Sequence, residues 1–183
     1  MKRTICTLIA LAAALLAASC AFAARERVET ARPASELIDE RQTDIWVEGE
    51  RLGEMILGAR GAIQIIYVDE AMSKAIASDV SLPQWVFEMG RYYGTDPIRK
   101  KKLFIAHVDV YKPWDFDYTK VFVGEHRLRK EDILSPSMTN PFGPQPSKSE
   151  GYFAFAIPAS GLKAGKEIKI GYGDYSEIWK ILK

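Results

Sequence analysis

Cysteine is nearly missing from this chain. Its two copies, Cys6 and Cys20, both fall in the first twenty residues. The remaining length therefore has no internal disulfide, no thiolate-based zinc site and no cysteine nucleophile. Histidine is almost as scarce, with only His107 and His126, a thin supply for metal or acid–base chemistry. Asparagine occurs once, at Asn140. Charge of one sign is also lacking, since the formal net charge is +1. A near-neutral chain has no global electrostatic reason to bind nucleic acid. Its one basic cluster, Arg99 to Lys102, reads as a solvated start of a strand. Catalytic signatures are absent too. No serine sits in a G-x-S-x-G elbow, and Gly53, Gly58 and Gly61 have the wrong spacing for a phosphate loop.

Long apolar runs are limited to the beginning. Lys2 and Arg3 precede an Ile/Leu/Ala-rich stretch from Ile5 to Ala18. That stretch is shorter than the roughly 20 apolar residues a spanning helix needs. With the small-x-small site Ala21, Phe22, Ala23 it reads as a secretory signal, residues 1–23, cleaved before Ala24. Alternatively, Ala17, Ala18, Ser19, Cys20 resembles the lipobox of bacterial lipoproteins. That resemblance implies lipidation of Cys20, and it departs from the usual pattern at Ala17. The protein is thus expected in the periplasm or secreted, or else lipid-anchored to the envelope through Cys20, its only membrane link.

About 160 residues remain after the signal, enough for one domain with a substantial core. Residues 24–43 are polar and charged and read as a leader. A short helix is expected over Ser35 to Gln42, with Ser35 as its cap. Residues 44–183 read as one β-rich domain. Ile45 to Val47 is a short strand. Leu52 to Ala59 fits either a weak helix or a hairpin whose return strand is Glu54 to Leu57. Ala62 to Val68 is a strand rich in Ile, Tyr and Val. Residues 69–93 carry helical spacing twice, around Ala71 to Ile76 and around Trp85 to Tyr93, with Pro83 in the first turn of the second helix and Ser81 as its possible cap.

Lys102 to Tyr111 is the clearest strand. Phe104, Ala106, Val108 and Val110 fall on one apolar face. Leu103, Ile105, His107, Asp109 and Tyr111 fall on the other. Thr119 to Val123, Tyr152 to Ile157, Glu167 to Tyr172 and Tyr175 to Leu182 are further strands. Residues 135–150, rich in Pro, read as a long irregular loop. This spacing predicts an antiparallel Ig-like β-sandwich with a small helical insertion, with an α+β domain as the alternative.

Three functional readings follow. The first is a non-catalytic exported domain that binds an envelope protein or glycan. Its expected contact surface is aromatic, at Tyr111, Trp114 and Tyr118, beside Pro113 and two aspartates. The second is a hydrolase or metal enzyme built on His107, Asp109 and His126, because His and carboxylate two residues apart on a strand share one face. The third is a carbohydrate-binding module, which needs coplanar exposed rings at Trp114 and Tyr118. No cofactor is expected. Trp179 is expected in the core, and Trp85 is expected to tie the helical insertion to the sheet.

Overall fold

The structure is a computed structural model that describes residues 32–182. The signal, its cleavage site and the Cys20 lipobox lie outside the described residues. The domain is mainly β, built from antiparallel sheets with three α-helices among the described residues.

Helix α1 (Ala34–Arg41) leads directly into β1 (Gln42–Val47). A hairpin follows, β2 (Glu50–Leu52) and β3 (Met55–Leu57), which settles the ambiguous stretch as strand. Then come β4 (Gly61–Val68), α2 (Glu70–Ser78), α3 (Gln84–Gly90) and β5 (Lys101–Val110). Strands β6 (Trp114–Phe116), β7 (Val121–Val123) and β8 (His126–Arg127) are short. Within the expected irregular loop, β9 (Gly143–Gln145) pairs with β6. The chain closes with β10 (Ser149–Pro158), β11 (Glu167–Tyr172) and β12 (Tyr175–Lys180).

The central sheet has the order β1-β4-β5-β10, and every neighbour is antiparallel. A second sheet has the order β12-β11-β7-β8. Alternation along β5 decides what covers each face. Phe104, Ala106, Val108 and Val110 share a core with Val121, Val123, Ile170 and Trp179 of the second sheet. Trp179 sets its edge against Tyr67 and Phe104, with ring centroids 5.2 and 5.7 Å apart. Leu103 and Ile105, from the alternate positions, share a separate core with Leu37, Met72, Ile76, Val86 and Met89 of the helices. The central sheet is therefore buried on both faces along half its length. Its strands read as nearly continuous apolar runs there, as double burial requires.

The domain starts earlier than the sequence suggests. Residues 34–43, read as part of a polar leader, form α1 and the first two residues of β1, with Ala34, Leu37 and Arg41 buried. Arg41 explains how a polar helix docks. Its guanidinium donates from Nε and Nη2 to Asp69 Oδ2, at 3.1 and 2.9 Å, and from Nη1 to the Leu37 carbonyl. Asp69 in turn caps α2, its Oδ1 accepting from the Met72 amide at 2.8 Å. One carboxylate thus ties two helices together. The expected Ser35 cap is absent. Pro33 holds the cap position of α1 and Pro83 that of α3, neither with a side-chain cap, while Ser81 instead donates to Asp79.

Candidate functional site

Antiparallel register carries the helix-side face of the central sheet beyond the helices. One row aligns Asp44, Gln64, His107 and Tyr152 across β1, β4, β5 and β10. The next aligns Trp46, Ala62, Asp109 and Glu150. The row before them, Ile66, Ile105 and Ala154, is fully buried under the helices. Burial falls off past it: Gln64, His107 and Tyr152 are half-buried and Glu150 is exposed. The edge of α3 reaches this boundary. Trp85 stacks on His107, and the Tyr152 hydroxyl donates to Glu88 at 3.2 Å.

Carboxylates flank both nitrogens of His107. Nδ1 lies 3.7 Å from Asp109 Oδ2, and Nε2 lies 3.3 Å from Glu150 Oε2. One ligand atom from each of the three residues lies within 4.8 Å of the others, so the group offers one nitrogen and two oxygens to a divalent ion. Tyr111, just past β5, stacks on Trp46 with centroids 6.4 Å apart. Burial pushes the Asp44 carboxyl above its ordinary value, against a hydrogen bond from Gln42. Burial likewise raises the Tyr111 hydroxyl, helped by the charges of Asp109 and Asp44. Among the described residues, none of Asp44, Glu88, Asp109 or Glu150 is ion-paired with Lys or Arg.

The sequence-predicted residues divide between this face and other parts of the fold. His107 and Asp109 come together as expected, and Tyr111 is exposed beside them. Trp114 is not on the surface. It is 7% exposed, packed edge-on against Phe116 and Tyr172 and lying over Gly61. Tyr118 is half-buried against Phe142. The expected exposed pair at Trp114 and Tyr118 is therefore not formed. His126 does not join His107. It sits on β8 at the end of the second sheet, with Nε2 donating to Asp132 at 2.8 Å.

The pattern of the sequence points neither to Glu150 and Trp85 as partners of His107 nor to Trp46 as the partner of Tyr111. Trp46 and Trp85 were visible as aromatics on a strand and a helix face. Glu150 becomes a partner only through the pairing of β10 with β5 across some 40 residues of chain, which a strand pattern does not reveal. No helix among the described residues is long and apolar enough to cross a membrane. No family model, no curated protein and no solved structure matches the chain.

Proposed function

We propose that this chain is an exported, non-catalytic domain of the cell envelope that binds a protein segment bearing Lys or Arg side chains. The contact surface is the open end of the helix-side face of the central sheet. One observation carries the reading. Four carboxylates (Asp44, Glu88, Asp109 and Glu150) and the rings of Trp46, Trp85 and Tyr111 share one face with no Lys or Arg paired to those acids among the described residues. Cations gain both Coulombic attraction and ring-face contact on such a surface. Export rests on the reading of residues 1–23, and recovery of Ala24 or of a lipidated Cys20 as the first residue decides between free and tethered forms.

The scaffold is read as an Ig-like sandwich, supported by two antiparallel sheets that share one core. A crystal structure in which those sheets do not share that core would overturn this part. For the binding role, the test is calorimetric titration with a Lys/Arg-rich peptide and with a Glu/Asp-rich peptide of equal length. Binding of the basic peptide alone is expected. Replacing both Asp109→Asn and Glu150→Gln should weaken it at least about tenfold. Equal binding of the acidic peptide would sink the proposal.

A second reading, a metal-dependent hydrolase, is favoured by the convergence of His107 and Asp109 with Glu150. In it Glu150 takes the place expected for His126.

A further inference from the structure

The second histidine belongs to a different feature. A cavity of about 320 Å³ opens between the β7–β8 turn, the end of β10 and the start of β11. Its size falls in the range of small-molecule sites. Val123, Ile157, Leu162 and Ile168 give it an apolar lining. His126, Glu125 and Lys166 line it as well.

His126 is fixed from behind. Asp132 is buried, and its Oδ2 accepts from His126 Nε2 at 2.8 Å and from the Arg129 amide at 3.0 Å. Lys101 Nζ lies 3.6 Å from the other oxygen. Those donors assign the Nε2 proton to the bond with Asp132, so Nδ1 is the nitrogen left for a ligand. Among the described residues Nδ1 has no hydrogen-bond partner, and neither Glu125 nor Lys166 is ion-paired. The cavity therefore presents one free anion, one free cation and one oriented imidazole beside an apolar wall.

We propose that this cavity binds a small zwitterion with an apolar side chain, an α-amino acid of the leucine kind. Lys166 takes the carboxylate, Glu125 takes the ammonium, His126 Nδ1 hydrogen-bonds the polar end, and the side chain fills the space among Val123, Ile157, Leu162 and Ile168. A fatty acid would satisfy Lys166 but leave its carboxylate facing Glu125. An alkylamine would make the converse error with Lys166. Only a ligand with both charges matches both groups.

The test follows the imidazole resonances of the folded protein by NMR during titration with L-leucine, octanoate and hexylamine. Leucine is expected to shift the His126 signals and leave those of His107 in place. Glu125→Gln and Lys166→Gln should each weaken leucine binding at least about tenfold. Both residues are exposed, so unchanged melting temperatures would show that these variants are folded. The inference is overturned if leucine leaves His126 unmoved, if octanoate or hexylamine binds as tightly as leucine, or if either folded variant binds leucine like the parent.

Discussion

Trp85 lies nearly flat against His107, with ring centroids 5.2 Å apart and planes 17° from parallel. The contact joins α3 to β5 and holds the imidazole between Asp109 and Glu150. It makes Trp85 both a packing residue and a positioning residue. Trp85→Ala should cost about 2 kcal/mol, combining lost burial with the lost ring pair. Urea unfolding measures that cost. Trp85→Phe should recover most of it, because a stacked ring remains. If Trp85→Ala unfolds at the same urea concentration as the parent, α3 is not held through this contact.

Gly61 is the site where Trp114 reaches the sheet. A Cβ built there would stand 2.5 Å from the Asp109 carbonyl oxygen and 2.7 Å from the Trp114 ring. The backbone of β5 cannot retreat without breaking the β4–β5 ladder, and Trp114 is enclosed by Phe116 and Tyr172. Gly61→Ala should therefore destabilise the domain by about 3 kcal/mol, as overpacking in a closed core does. It should also raise the fluorescence accessibility of Trp114 to a quencher. Gly53→Ala makes a useful contrast. A Cβ there meets nothing within 4 Å, so its cost comes only from its positive φ of 65°.

These two residues also show what could be read from the chain. The alternation in β5 was legible because Phe104, Ala106, Val108 and Val110 repeat with the strand's own period. Trp179 was legible as core for a similar local reason. Trp114 was not. Its neighbours Pro113 and Asp115 look like a surface loop, and the space it fills exists because a residue some fifty positions earlier lacks a side chain. Helix α1 is legible as a helix over Ser35 to Gln42, but its docking onto the domain is not, because it has few large apolar residues. It docks through Arg41 and Asp69, a pairing 28 residues apart that composition does not announce. His107 and Asp109 share a strand, so their meeting needed only the two-residue period. The third member of the cluster, Glu150, needed a register between distant strands.

That cluster supports two readings, and a chelator separates them. On the binding-domain reading, the carboxylates contact the basic partner directly. Peptide affinity should then stay within about twofold when EDTA is added. Zinc added in excess should compete with the peptide, because His107, Asp109 and Glu150 offer it a ligand set. Loss of peptide binding in EDTA, restored by zinc, would reverse the order of the readings. His107→Ala should abolish any zinc-dependent rise in melting temperature, while Glu125→Gln, in the cavity beside His126, should leave it intact.

Asp44 gives the face a pH dependence with a definite sign. Burial raises its carboxyl above the ordinary value of 3.8, and the hydrogen bond from Gln42 only partly offsets this. The folded state thus favours the protonated form more than the unfolded chain does. That contribution to stability is fully present below about pH 3.8 and is lost as the pH rises through the higher folded value. At neutral pH the protein carries a half-buried carboxylate that it would hold more comfortably without charge. Asp44→Asn removes the charge and keeps an oxygen to accept from Gln42. It should stabilise the domain at pH 7 by up to about 1 kcal/mol and give no gain near pH 3, where Asp44 is already neutral. Urea unfolding at the two pH values measures both limbs. A gain of equal size at both would mean that something other than charge burial separates Asp from Asn at this position. The same substitution should weaken the basic peptide, since it removes one of the four carboxylates on the face. A variant that is more stable and binds less well would place Asp44 among the residues whose charge is kept for contact rather than for folding.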